Sequence, residues 1–409
     1  MLESLRAAVG FEAVGEPAGN LTVGRGTLDG KAVRVALVEN RIASGAIGSA
    51  EAERIVALFK IAMLERAPLA IYLDSAGAKI SEGLRALGAF RALFRAGLDL
   101  AASGTPLAAV LGRNCYGGSS MLAHLAPRRL FSPNTQLAMS GPAILAAQAG
   151  MSAIDEIFLA MAQAAMSPSA RAAASNANTV WDAGDLAPWL RAAWAGGDAV
   201  EPPRERHDAL ARRFGKPLAD PIMEAVRRRD LERIYPQGYE AREAHGLMDG
   251  EGRRDGSTEA FVGLVGRRPV GAERAWHFSE RVWRHAAQPP ARLEVFLDCA
   301  THATRLEDEK VVLSEYIVDM SLALDHLARH GTHVGLTIVG QAGGGVYVAL
   351  AAPARRVTSV YGADIQVLPG AAVAAILGER RDTTPSFNDY RAANVADDEL
   401  RLGFFPGVA

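Results

Sequence analysis

The apolar positions fall into short runs that predict buried strands, alternating with longer stretches of helical spacing. LAIYLDSAGAKISEG, from Leu69, is a strand ending in Leu73-Asp74, followed by a turn of small residues. LRALGAFRALFRAGLDLAAS then carries apolar residues at helical intervals. LEVFLDCATHATRLEDE, from Leu293, repeats the strand and its Leu297-Asp298 ending, and EYIVDMSLALDHLARHG is the helix after it. The parallel continues in step. TPLAAVLGRNCYGGSSMLAHLAPRRLFSPNTQLAMSGPAIL matches THVGLTIVGQAGGGVYVALAAPARRVTSVYGADIQVLPGAAVAAIL as strand, glycine pair, helix, Ala-Pro with arginines, strand, then Gly/Pro and helix. Upstream, LDGKAVRVALVENRIASGAIGSAEAERIVALFK has a fainter counterpart in STEAFVGLVGRRPVGAERAWHFSERVWRHAA. Self-similarity at this range predicts two tandem copies of one α/β unit. The expected boundaries are 1–215 for the first unit, 216–252 for a connector and 253–409 for the second. From about Ser175 to Gly252 the chain is rich in Arg, Ala, Trp and Pro with few β-branched runs, which reads as closing helices plus the connector.

Composition narrows the class. With 49% hydrophobic and 22% charged residues, wholesale disorder is excluded. Lys and Arg number 44 against 46 Asp and Glu, so no basic footprint points to nucleic acid. Two cysteines build no disulfide framework, and no Cys/His quartet has zinc spacing. The opening MLESLRAAVGFEAVGEPAGN lacks the layout of a signal peptide, and no run reaches the roughly 18 apolar residues of a membrane span. A soluble, cytoplasmic protein is expected, with neither membrane nor nucleic acid as a partner.

Strand, glycine turn and helix place backbone N–H groups at the carboxyl ends of strands, where α/β sheets bind ligands. The first unit has two such turns, Ser75-Ala76-Gly77-Ala78 and Tyr116-Gly117-Gly118-Ser119. If their strands are neighbours, each turn can offer one N–H to a single carbonyl oxygen. That is an oxyanion hole, suited to a thioester enolate. A glycine pair alone is more often a packing device, but its return in Gly343-Gly344-Gly345 favours function. There is no GxGxxG after the first strand and no P-loop lysine, so dinucleotide and nucleoside triphosphate sites are weak readings.

On these motifs the chain resembles the carboxyltransferase branch of the crotonase superfamily. IASGAIGSAEAERI, LAIYLDSAGAKISEG and the stretch from Gly112 through Gly141-Pro142 resemble the β subunit of biotin-independent malonate decarboxylase. The last third is similar to the γ subunit, so the whole resembles a fusion of the two. The resemblance implies two tandem crotonase-like units of β-β-α superhelix form, with the acyl thioester of CoA or a carrier protein in the first. It implies a first hole at Gly77-Ala78 and Gly117-Gly118, a second at Gly344-Gly345, and no bound cofactor. Two departures stand out: the first turn has Lys79 where the family has arginine, and the second unit's turn, Cys299-Ala300-Thr301-His302, has no glycine. There is also no CxxC zinc ribbon and no Met-Lys-Met biotin site, so any biotin must arrive on another chain.

Side chains around these turns supply further candidates. His302 lies in the second unit's turn, where a catalytic or carboxylate-binding role and a plain loop role are both open. Tyr347, after Gly345, is a candidate proton donor. Lys79, Arg113, Tyr116 and Ser119 are candidates for substrate contact, with Gly141 and Pro142 carried over from the resemblance. Ser120 stands at the same turn. Glu82, early in a helix, reads more as a capping residue than an acid, and Cys115 as a small buried residue. The 326/330 histidine spacing lacks a carboxylate partner, so a metal is rejected. Arg128 and Arg129 read as a structural corner, and Arg227, Arg228 and Arg229 as a solvated face.

The expected activity is decarboxylation of a malonyl-type thioester, independent of biotin. The alternatives are a biotin-dependent acyl-CoA carboxyltransferase subunit and a non-catalytic carrier-protein scaffold, with a hydratase or isomerase behind them. A homodimer is expected from the apolar faces of both halves.

Overall fold

In the computed structural model, residues 1–150, 155–195, 202–368, 373 and 385–402 are described. The chain folds into two α/β units, each around its own sheet, as the internal repeat predicts. In the first, the Leu21–Leu28 and Lys31–Val38 strands form an antiparallel hairpin. Lys31–Val38, Leu69–Ser75, Leu107–Tyr116, Arg128–Phe131 and Asn178–Val180 then run parallel in that order. In the second, the Leu247–Arg254 and Ser257–Leu264 hairpin leads into parallel Arg292–Cys299, His333–Gly343, Arg356–Val360 and Asp398–Leu400.

Register matches strand for strand. Leu69 pairs with Leu107 as Leu293 pairs with Val334, and both ladders break just after the Leu-Asp ending. The aspartates explain the break. Asp74 Oδ1 accepts the N–H of Asn114 at 3.1 Å, and Asp298 Oδ1 that of Gln341 at 2.8 Å, each replacing a ladder bond with a side-chain bond. Pairing resumes one step on with a shifted register, Ser75 opposite Cys115 and Cys299 opposite Ala342, just before the turns that follow.

Helices Leu84–Ala102 and Gly118–Leu125 of the first unit pack against Leu313–Arg329 and Gly344–Ala351 of the second, with Ser49–Glu65 and Ala272–Arg284 behind them. Their apolar faces form one continuous core between the two sheets. Each fully buried Leu or Phe there, such as Phe94, Leu98, Leu313 or Leu324, contributes roughly 1.5–3 kcal/mol by leaving water. Polar bonds lock the seam at its rim: Arg91 makes a bidentate pair with Asp397, and Arg95 meets Asp325 at 3.1 Å.

The segment 216–252, read above as a connector, contributes three strands. Glu224–Ala225, Tyr239–Ala244 and Leu247–Arg254 extend the second sheet, so that unit begins before residue 253. In YEAREA only Ala241 is buried, which leaves no apolar alternation to betray the strand. The Pro203–Arg212 helix, inside the expected first unit, packs on the second: His207 Nδ1 lies 2.7 Å from Asp319 and Tyr316 donates to Leu210 C=O. Among the described residues, no helix is long and apolar enough to cross a membrane.

Candidate active site

The two units enclose a cleft of about 330 Å3 at the carboxyl ends of their central strands. Its first-unit wall includes Ala78, Phe90, Gly118 and Ser140, and its second-unit wall includes His302 and Gly345. The chain thus closes on itself to form it.

The first pair of donors comes from backbone alone. Ile47 N–H donates to Gly77 C=O at 2.8 Å, and Lys79 N–H to Ile47 C=O at 2.9 Å. This bridge skips Ala78, whose N–H has no protein acceptor among the described residues. Gly118 opens the Gly118–Leu125 helix, so its N–H has no partner within that helix. The two turns touch. A Cβ on Gly77 would lie 2.7 Å from Tyr116 C=O and 3.2 Å from Gly118 N. Gly77 at φ +97° and Gly117 at φ +55° also occupy backbone regions that favour glycine. Ser75 Oγ fixes the spacing by accepting from Gly77 N–H at 3.1 Å and from Ser119 Oγ at 2.8 Å. Ser119 therefore ties turn to turn rather than facing the cleft.

The second unit repeats this path with different side chains. Val270 N–H donates to Thr301 C=O and Ala303 N–H to Val270 C=O, so His302 stands where Ala78 stands, its N–H likewise without a protein acceptor among the described residues. Gly344 repeats the φ of +55° seen at Gly117, and Gly345 sits in the first turn of its helix. The missing glycine is explained at Thr301, which replaces Gly77 but has no positive φ.

His302 is only 6% exposed, and burial pushes its imidazole down to about 4, so the ring is neutral at physiological pH. Its Nε2 lies 3.0 Å from Ser140 Oγ across the seam, and its Nδ1 lies 3.4 Å from Thr301 Oγ1. Ser140 was not singled out from the sequence. Its only mark there is its position just before Gly141-Pro142.

Several candidates fall elsewhere. Tyr347 is fully buried and donates to Val395 C=O at 2.6 Å, away from the cleft, so the structure does not support it as a proton donor. Lys79 pairs with Glu82 at 3.2 Å and does not line the cleft. Tyr116 donates to Gln136 and lays its ring against Gly141, while Arg113 is exposed to solvent. Pro142 opens the Pro142–Gln148 helix beside the cleft, to which Ile144 contributes. Glu82 caps a neighbouring helix by accepting from Ser49 N–H and Oγ, both at 2.8 Å, which holds its carboxyl below the usual range. Cys115 is buried with its thiol pushed up by desolvation. Among the described residues, no cluster of His, Cys, Asp and Glu could hold a metal ion.

Comparison with known proteins bears on the first unit most directly. The carboxyl transferase domain model covers residues 4–173. The first unit matches a carboxyl transferase domain. Over 141 residues (34% of this chain), the chain is 26% identical to the methylmalonyl-CoA carboxyltransferase 12S subunit of Propionibacterium freudenreichii subsp. shermanii, covering 27% of it. The biotin-dependent acetyl-/propionyl-coenzyme A carboxylase beta5 subunit of Mycobacterium tuberculosis is 28% identical over 68% of this chain and 52% of its own length. Methylmalonyl-CoA decarboxylase subunit alpha of Veillonella parvula is 30% identical over 39% of this chain and 32% of its own length. This chain spans about half or less of these relatives. Among solved structures, a chain of the Pseudomonas malonate decarboxylase hetero-dimer aligns at a TM-score of 0.44 and 23% identity, over 52% of this chain and 92% of that one.

Proposed function

We propose that this chain decarboxylates a malonyl-type acyl thioester, without biotin, in the cleft between its units. The observation that carries the reading is the pair of unpaired N–H groups, Ala78 and Gly118, on adjacent turns in one cleft. A thioester oxygen seated between them takes on negative charge as the bond from C2 to the carboxyl group breaks. Two electrons move onto that oxygen, carbon dioxide leaves, and a solvent proton passing along Ser140 and His302 closes C2. Preorganised donors at the oxygen lower this barrier because they need no reorientation as charge develops. A neutral imidazole suits the far wall, since an imidazolium would pair with the substrate carboxylate and stabilise the ground state. The acyl group arrives on CoA or on the phosphopantetheine arm of a carrier protein, and no resident cofactor is required.

A second reading, carboxyl transfer to a biotin carried by a partner, is favoured by the second pair of free donors, His302 N–H and Gly345 N–H. It also agrees with the match over residues 4–173. In that reading the second pair holds the acceptor's carbonyl oxygen.

The test is mass spectrometry of malonyl-CoA and malonyl-carrier protein incubated with the enzyme in the absence of biotin. Ala78→Pro removes one free donor and no hydrogen bond of the fold. Loss of carbon dioxide by the wild type, slowed about 10²–10³-fold in the variant, is expected. Turnover only with a biotinylated acceptor would replace decarboxylation by transfer.

A further inference from the structure

A buried carboxylate on the second unit reaches into the first. Glu309, fully buried on the Leu306–Lys310 helix, accepts Met139 N–H at 3.2 Å and Ser140 N–H at 2.8 Å. Arg171, fully buried in the first unit, donates from Nη1 to Glu309 C=O at 2.7 Å and from Nε to Leu137 C=O at 2.9 Å. The end of the Gln136–Ala138 strand and the residues after it are therefore held at Leu137 by Arg171. Glu309 holds them at Met139 and Ser140, and His302 holds the Ser140 hydroxyl. His302 and Glu309 sit seven residues apart on one stretch of the second unit, so that stretch grips Ser140 by backbone and side chain together.

We propose that Glu309 is a positioning residue that holds the Ser140 hydroxyl against His302 in the cleft. This rests on the function proposed above and names the device that sets its proton path. Two buried N–H groups need acceptors, but a neutral amide would satisfy them with less desolvation than a carboxylate. What the charge adds is stiffness: hydrogen bonds to an ionised acceptor are shorter and stronger. Burial pushes the Glu309 carboxyl up to about 7, while Arg171 and the two N–H groups pull it down and the neighbouring Asp308 pushes it up. Ionisation, and with it the tight grip, is thus gained as pH rises through about 7.

The experiment uses the full chain with 15N-labelled histidine, the His302 ring signals being assigned with His302→Gln. In Glu309→Ala, the Nε2 signal is expected to move toward that of an unbonded ring, with Glu309→Gln in between. For malonyl-CoA, kcat should fall about a hundredfold in Glu309→Ala, KM should stay within twofold, and the limb near pH 7 should vanish in Glu309→Gln. Ring signals unchanged in a folded Glu309→Ala, or kcat and KM falling together, would overturn the assignment. If Glu309→Ala does not fold, Glu309→Gln alone decides by the same signals. Failure of the wild type to turn over any thioester would sink the decarboxylase reading, and the ring signals would still decide the role of Glu309.

Discussion

The two units run nearly the same backbone with opposite side-chain policies. Both break their ladder after Leu-Asp, both bridge the next turn to the strand-to-helix loop upstream, and both open a helix with glycine at φ +55°. In the first unit the turn is bare, with Gly77 and Ala78 beside Phe90. In the second it carries Thr301 and His302. The outer faces of the sheets differ in the same direction. The first unit's rungs Val35–Ala70–Ala108 and Tyr72–Val110–Leu130 are apolar and lie under the Leu2–Val9 and Ala187–Trp194 helices. Their counterparts Phe261–Glu294–Gly335 and Phe296–Thr337–Thr358 place a carboxyl, a glycine and two hydroxyls on the sheet, lining a polar basin of about 300 Å3. The lesson is that the donors of a backbone-built site survive duplication even when the side chains diverge. In the reaction proposed above, that divergence would divide the labour: one wall would bind charge and the other would handle the proton.

Exchanging residues between the units tests that division. The largest effect is expected from Gly77→Thr, which writes the second unit's residue into the first. Its Cβ would press on Tyr116 C=O at φ +97° and displace one donor, so kcat should drop about 10²–10³-fold in steady-state assays. The converse, Thr301→Gly, should stay within about twofold, and an equal loss from both would abolish the distinction. Next comes His302→Ala, the first unit's residue in the second. It should lower kcat about 10²-fold with KM held, and a rise in KM alone would recast the histidine as a binding group.

Glu294→Ala, again a residue of the first unit in the second, addresses stability. Burial raises the Glu294 carboxyl from an ordinary 4.5 to about 7, against a bond from Thr337 at 2.6 Å. The folded state therefore keeps a proton that the unfolded chain has released, and this contribution is lost as pH rises from 4.5 toward 7. The variant should gain on wild type by on the order of 1–3 kcal/mol between pH 5 and 8 in urea melts. A pH-independent difference would contradict the assignment. Smallest of all, Lys79→Ala should change both rate and stability by less than about 0.5 kcal/mol, since its pair with Glu82 is partly solvated and its side chain does not line the cleft.

The repeated architecture was legible because Leu-Asp endings, glycine turns and amphipathic helices are local patterns. The strands in 216–252 were not, since their partners, rather than their own residues, make them strands. At the site, Ala78, Gly118 and His302 lie in turns whose location follows from chain order alone. Tyr347 illustrates where chain order misleads. Two residues past Gly345, the helix has rotated its ring toward Arg91 and Val395, although in sequence it looks adjacent to the turn. Ser140 and Glu309 could not be paired by reading, because their meeting depends on how two distant units dock.

The shared core between the sheets also has a consequence for how the molecule is made. Each unit can complete its sheet while its helical layer still faces water, and that layer is covered only when the other unit arrives. The first unit leaves the ribosome earlier and waits with its apolar side uncovered, the state in which aggregation competes with assembly. The cleft between the units is then the last feature completed during biogenesis, and its appearance reports the docking step rather than the formation of helices or strands.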